Sequence, residues 1–324
     1  MLHRRAALAL PWATPFALAL PALAQGWSPD RPIRAIVPFA PGGTTDVVAR
    51  VFAEAAAAQL GQPLVIENRP GGAAGLVGMD LVAKAPPDGH TILIHSNAIA
   101  VVPALVARMP FDVMGDLAPL AHLGRIPQVL VVDPRLPVRS MAELLAYVRA
   151  RPGQLNFASA GIGSAIHLAG EVFRSVAKLD IQPVHYRGGG PAMQAVISGE
   201  VVFTIDPVAS ASGHIRGGSV RAICITGPDR APSLPEVPSA TEAGLPELKV
   251  EAWVMAMAPA RTPAVAVARY AEAFARAAEG AKQRLADLGV QPATVSGSAA
   301  LTEFLRQDMA RSVGVLREAG VQPE

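Results

Sequence analysis

Cysteine is almost absent from this sequence. Cys224 is the only one in 324 residues, so no intrachain disulfide braces the chain and stability must come from buried apolar surface. Cys224 lies in the apolar run Val220–Ile225 and reads as a small buried hydrophobe rather than a reactive thiol. Aromatic residues are scarce too, at 5%, which argues against the stacking platforms that bind single-stranded nucleic acid. Charge is sparse and nearly balanced, with a net +2 and basic residues scattered along the chain; there is no electrostatic footprint for nucleic acid. Several catalytic signatures are missing: the G-x-x-x-x-G-K-[ST] phosphate loop, a G-x-G-x-x-G after the first strand, and a G-x-S-x-G nucleophile elbow. The seven histidines show no metal-ligand spacing. Neither an enzyme, a metal nor a cofactor is implied.

What remains is apolar and globular. The hydrophobic fraction is 51% over a length that suits two domains. The first residues have a leader's layout: His3, Arg4 and Arg5, then an apolar stretch from Ala6 to Leu23, then the small-x-small pattern Ala22-Leu23-Ala24. The competing reading is a membrane anchor, but Pro11, Pro15 and Pro21 interrupt that stretch and leave no continuous run of about 20 apolar residues. Residues 1–24 are expected to be a cleaved signal peptide, which would make the mature protein periplasmic in a diderm cell.

Past the leader, strand-like and helix-like segments alternate. Ile33–Phe39, Leu64–Ile66, Thr91–His95, Leu130–Val132, Leu155–Ala158, Pro183–Tyr186, Val201–Ile205, Val220–Ile225 and Trp253–Met257 read as strands. Helical spacing marks Asp46–Leu60, Leu76–Ala83 and Met141–Ala150, the last capped by Ser140. Two amphipathic helices close the chain, one starting at Thr262-Pro263 with Val267, Tyr270 and Phe274 on its core face, the other carrying Leu301, Phe304, Leu305 and Leu316. The alternation predicts an α/β fold with parallel sheets and covering helices. Pro228–Pro246 reads as an irregular surface connection.

Two loops have the same design: strand, glycines, hydroxyls, helix. The first holds Phe39, Gly42, Gly43, Thr44 and Thr45, with Asp46 behind them; the second holds Ser159, Gly161, Gly163 and Ser164. Glycine admits close backbone approach, and the helix that follows offers free N–H groups, so each loop is receptive to an anion. The plainer reading is a strand-to-helix turn with Thr45 or Asp46 as N-cap, and for Asp46 that reading is preferred because a carboxylate would repel an anionic ligand. A third glycine loop, Asn68–Gly75, is equally compatible with a turn and with a ligand contact. Ser96 and Asn97 end a strand as plausible polar contacts. Asp206, also at a strand end, either meets a ligand hydroxyl or amine or caps the next helix. Phe39 either lines the pocket or packs. Two such loops on two α/β units suggest a ligand held from both sides.

The ordered set of motifs resembles the Bug family, the extracytoplasmic receptors of tripartite tricarboxylate transporters. It runs through Pro38–Gly43 with Asp46 and Ala49-Arg50, Glu67–Gly72, Pro87–Thr91, Gly163–Glu171, Tyr186–Gly189, Gly199–Val201, Leu234–Ser239, Glu242–Pro246 and Ala258–Pro263, and so covers the whole mature chain. The resemblance implies a two-lobed Venus-flytrap (type II periplasmic-binding-protein) fold with a central cleft and two crossover strands, near Leu123–Val129 and Glu251–Met257. One lobe would comprise 25–126 and 251–324, the other 127–250. It implies a monomer that binds a small carboxylate through backbone N–H groups, hydroxyls and waters, and docks transiently on membrane transporter subunits. Asp206 would reach the far end of the ligand, whereas Pro207–Gly213 departs from the family pattern. Presentation of the ligand to a two-component sensor kinase is the competing role for the same cleft.

Overall fold

Each apolar run named above becomes a strand, and the glycine-rich stretches between them turn the chain into helices. The computed structural model describes residues 26–323; the expected signal peptide, residues 1–24, lies outside them. The chain opens with β1 (Ile33–Val37), α1 (Thr44–Leu60), β2 (Leu64–Asn68), α2 (Leu76–Ala83), β3 (Thr91–Ser96), α3 (Val102–Leu105) and α4 (Val113–Asp116). Then follow β4 (Leu117–Val132), α5 (Met141–Arg149), β5 (Asn156–Ser159), α6 (Ala165–Ala177), β6 (Gln182–His185), α7 (Gly189–Ser198), β7 (Phe203–Pro207), α8 (Val208–Arg216) and β8 (Arg221–Thr226). The chain finishes with β9 (Glu251–Pro259), α9 (Ala264–Gly280), α10 (Lys282–Asp287) and α11 (Ser298–Glu318).

The strands form two sheets that share β4. In the first the order is β2-β1-β3-β9-β4; the second continues β4-β7-β5-β6, with β8 on the other edge of β4. Within β4, Leu117–Pro127 pairs with β9, and Gln128–Val132 lies between β7 and β8. The parallel expectation holds for β1, β2 and β3 and again for β5, β6 and β7. It fails for β4, β8 and β9, which run antiparallel to their partners. β4 and β9 carry the chain from one sheet to the other, and α8 sets β8 beside β4 rather than beside β7, so β8 meets a strand of the opposite direction.

Helices cover both faces of each sheet. α1 buries Val48, Val51, Phe52, Ala56 and Leu60 and stops at Gly61, whose φ of 76° takes the chain out of the helix. Its Phe52 meets Phe274 of α9 edge to face, while the Tyr270 hydroxyl donates to the Gly89 carbonyl at 2.6 Å. In the second sheet Phe157 stacks on Phe203 at 5.3 Å, and Phe173 of α6 meets the same ring edge-on. Cys224 of β8 is fully buried in the same core, and burial pushes its thiol up to about 12, as a packed hydrophobe requires.

Two local readings are corrected. Residues 228–246 are irregular, as expected, but they are not a surface connection: Ala231, Leu234, Val237, Ser239, Ala240 and Leu245 are buried. Proline-rich backbone can enter a core when its carbonyls are bonded locally, and here Ala240 N–H donates to Ile225 O and Leu245 N–H to Ala240 O. In α9, Pro263 occupies the capping position rather than the first helical one.

Glu251 marks the second passage between the sheets. Leu248 and Val250 before it pack in the second sheet's core, whereas β9 after it pairs with strands of the first. Arg125 of β4 holds Glu251 with both carboxylate oxygens accepting from Nη1, at 2.9 and 3.0 Å, in a half-buried pair. Hydrogen bonds between charged groups carry about 1.5–3 kcal/mol. Arg125→Met is expected to lower the unfolding free energy by about that amount, measured by urea titration; an unchanged midpoint would mean that the bridge is idle.

Candidate functional site

In the first loop the chain leaves β1, turns at Gly42 with φ 82°, and enters α1 from Gly43. Gly43, not Thr45 or Asp46, is the N-cap, and it supplies no side-chain hydrogen bond. The first amides of α1 are therefore without an internal acceptor. Asp46 sits one turn in and points back, accepting from Gly42 N–H at 2.8 Å, Arg50 Nε at 3.0 Å and Asn68 Nδ2 at 2.9 Å. Burial alone would raise its pKa, but the bonds from Arg50, Gly42 and Asn68 outweigh it and hold the carboxylate below its ordinary range. The charge that would repel an anion is thus buried and paired. Thr45 is nearly buried and Thr44 exposed.

Phe39 is half-buried, and its ring meets His95 edge to face at 5.0 Å. His95 had carried no functional reading, yet it braces three segments. Its Nδ1 lies 2.8 Å from the Ser96 carbonyl and its Nε2 3.0 Å from that of Ala74. Burial pushes its pKa down to about 4, against the pull of those two carbonyls. The third glycine loop is thereby fastened under the first, with Ala74 held in the left-handed region at φ 49°. Ser96 accepts weakly from Ala98 N–H at 3.4 Å. Asn97 is buried with its Oδ1 unpartnered.

The second loop resembles the first in sequence and differs in state. Ser164 caps α6, its Oγ accepting from His167 N–H at 3.0 Å. Gly163 N–H donates to His167 Nδ1 at 3.1 Å, and Gly161 N–H to Ser159 Oγ at 3.2 Å. Ser159 is fully buried and turns its own hydroxyl to the Gly161 carbonyl. His167 lies 3.6 Å from Glu171, which pairs with Arg174 at 2.7 Å. So Ser159, Gly161 and Gly163 spend their donors on the loop itself. Gly163 has a second constraint: at φ 74°, a Cβ there would sit 2.4 Å from a methyl carbon of Leu105. That contact, with Ala165 packed on the core beneath α1 and Ala209 against Gly289, brings the two halves of the molecule together.

Asp206 ends β7 with 4% exposure and accepts from the Ser210 hydroxyl of α8. Burial raises its pKa to about 6, against the Ser210 bond and the nearby His214. Its Oδ1 would lie 3.3 Å from a Cβ on Gly189, and Ile166 of α6 comes equally near. This exposes a loop that the sequence reading left out. Gly188-Gly189-Gly190 starts α7 with Gly188 at φ 117° and no side-chain cap; three glycines after a strand were the available signal.

A family model described as the tripartite tricarboxylate transporter family receptor matches residues 48–321. The chain belongs to that family. Protein BugT of Bordetella pertussis is 38% identical to this receptor over 309 residues, with 91% of each chain covered. MatC from Rhodopseudomonas palustris with bound malate is 35% identical at a TM-score of 0.74, covering 89% of the receptor and 99% of MatC. A second R. palustris protein, with adipate, is 32% identical at a TM-score of 0.77, over 91% and 99% of the two chains. The receptor has the two-lobed periplasmic-binding-protein fold, and that fold and family are those of solute-binding proteins.

Two variants of the receptor test this geometry. Gly163→Ala is expected to cost about 2 kcal/mol or more from the left-handed φ and the collision with Leu105. A double-mutant cycle with Leu105→Ala should show coupling above about 0.5 kcal/mol; strict additivity would separate the two residues. For Asp206, protonation favours the folded state, so its contribution is full below the unfolded pKa of 3.8 and is lost as pH rises through about 6. Asp206→Asn is expected to match the parent at pH 4 and to exceed it at pH 7.5, by up to about 3 kcal/mol. Equal melting curves at pH 7.5 would contradict the burial argument.

Proposed function

We propose that the protein is a periplasmic receptor for a small carboxylate, probing most directly with the uncapped N-terminus of α1. The observation that carries this reading is the set of free amides behind Gly43, with the nearby Asp46 charge neutralised by Arg50. An unsatisfied helix N-terminus attracts an anion, with a dipole contribution of about 0.3–1 kcal/mol and up to about 2 when partly buried. The relatives with malate and with adipate support the ligand class.

In this reading Phe39, Gly42, Gly43, Thr44 and Thr45 grip the carboxylate from one lobe. Ser96 and Asn97 lie beside them. From the other lobe the Ser164 hydroxyl proton faces the ligand, while Ser159, Gly161 and Gly163 give the loop its shape. Asp206 and the Gly188–Gly190 turn meet the ligand's far end. With a pKa of about 6, Asp206 donates from its protonated form or accepts from a ligand hydroxyl when ionised. The lobes divide into 25–126 with 251–324, and 127–250. The mature protein, freed of residues 1–24, works as a monomer and hands its ligand to the membrane subunits of a tripartite tricarboxylate transporter. It performs no chemistry on the ligand.

Gly43 supplies the decisive test. Its φ is −72° and a Cβ would approach nothing closer than 3.6 Å, so the unliganded fold does not need glycine there. Gly43→Ser is expected to leave the melting temperature unchanged or slightly higher, since serine is a good N-cap. In a thermal-shift screen of malate, adipate, other organic acids, amino acids and sugars, at least one carboxylate should stabilise the parent. At about a hundred times its Kd a ligand adds roughly 2.7 kcal/mol. The variant should lose that shift. A response to sugars with none to carboxylates would overturn the reading.

A further inference from the structure

We infer that His167 is the positioning residue of the second glycine loop and works as a proton-operated clasp. Neutral, it holds the loop closed through Gly163; protonated, it turns to Glu171, frees the loop and weakens carboxylate binding. The effect on binding rests on the receptor reading above; the clasp itself does not.

Hydrogen-bond direction carries the argument. Gly163 N–H lies 3.1 Å from Nδ1 of His167, and a backbone amide can only donate. Nδ1 must therefore present its lone pair, and the one proton of a neutral imidazole goes to Nε2. That nitrogen lies 3.6 Å from Oε1 of Glu171, just beyond hydrogen-bond reach. A second proton would land on Nδ1, directly against the Gly163 amide. An imidazolium has no lone pair to offer, so the bond to Gly163 is lost. What the ring gains is the carboxylate one turn along the helix. His167 and Glu171 are 1% and 2% exposed, so their attraction is weakly screened. The imidazole thus has two partners, and one proton decides between them.

The surroundings single out His167 as the group that moves. On its own helix Arg174 holds the other oxygen of Glu171 at 2.7 Å and keeps that carboxylate in place. From β6, His185 meets the His167 ring edge-on with centroids 4.7 Å apart. Its Nδ1 lies 3.1 Å from Ser159 Oγ. That oxygen already sends its proton to the Gly161 carbonyl, so His185 is the donor there and stays one when protonated. Burial and the neighbouring His167 both hold the His185 pKa down, while Glu171 opposes them. β5 carries no charged group, β7 carries Asp206, and α11 carries Glu318, which accepts from Ser175 of α6 at 3.5 Å. Of the two imidazoles, then, only that of His167 must break a loop bond to take a proton. The start of α6 stays anchored meanwhile, because His167 N–H still donates to Ser164 Oγ at 3.0 Å. Gly163 is also where the loop reaches the other half of the molecule, at Leu105, so its release loosens that contact as well.

The test reads the clasp without a ligand and its effect with malate and adipate as probes. In 15N NMR of the mature protein at about pH 7.5, His167 should show a bare Nδ1 and a protonated Nε2. Between about pH 7.5 and about pH 5.5, the Gly163 amide should shift with the same midpoint as the His167 nitrogens. It should do so in the parent and in Asp206→Asn, which lacks the carboxyl that titrates at about 6. His167→Asn keeps an acceptor near the Nδ1 position and does not titrate, so its Gly163 amide should stay still. By calorimetry, malate or adipate should bind the parent about tenfold more weakly at the lower pH. His167→Asn should bind alike at both, and His185→Asn should keep the loss. The inference is overturned by a protonated Nδ1 at the higher pH, by a ring that stays neutral at the lower one, or by a Gly163 amide that does not follow His167. Equal parent affinity at both pH values, acid loss that survives in His167→Asn, or acid loss abolished by His185→Asn would overturn it too. Failure of both acids to bind at either pH counts against the receptor reading, and the NMR titration then decides the clasp on its own.

Discussion

Both halves of the receptor hang on one strand. β4 runs for 16 residues and changes partners between Pro127 and Gln128, leaving β9 and passing between β7 and β8. A strand has only two edges, so the ladder on each side fixes the register of everything beyond it. The irregularities between Pro119 and Ala121 and between His122 and Gly124 fall in the half that pairs with β9, where a bulge re-aims side chains and increases local twist. The Arg125–Glu251 pair sits beside the switch and ties β4 to β9 across a sequence separation of 126 residues. The relative orientation of the lobes, and with it the cleft, depends on these few residues.

The two glycine loops are chemically unequal. On the first lobe the helix amides are open because glycine occupies the cap and the nearby carboxylate has its own cation. On the second lobe the same arrangement of glycines and hydroxyls is closed on itself through His167, Ser159 and the Ser164 cap. In the proposed receptor role, an anion would meet unsatisfied donors on one side and a preformed, hydrogen-bonded surface on the other. Such a surface changes little on contact, which reduces the ordering cost of binding.

Most of the fold was legible in the sequence because β-branched runs and helical spacing report burial directly. The helix over Leu76–Ala83 and the Ser140 cap were read as they stand. Strand direction was not legible, since an apolar run looks alike whether its neighbour is parallel or antiparallel. The buried course of residues 228–246 was hidden for a related reason: proline content reports backbone freedom, not depth. At the site, the glycines and hydroxyls were visible as motifs, but which donors were already spent was not. That depended on His95 and His167, whose partners lie on other segments or a turn away, and on Asp46 pointing backward instead of forward. Gly188 and Gly189 stood within the Tyr186–Gly189 motif, from which no ligand contact was inferred.

The place of β9 in the first sheet also governs how the chain can be made. β9 lies between β3 and β4, so until residues 251–259 arrive the first sheet has a gap at its middle. β3 and β4 then have no ladder to join, and their edges stay open. Strands β5 to β8 follow one another in sequence, while the first sheet must wait for a contact of long sequence separation, which is entropically slow. A chain emerging from its N-terminus therefore stays incompletely folded until nearly four-fifths of it is out.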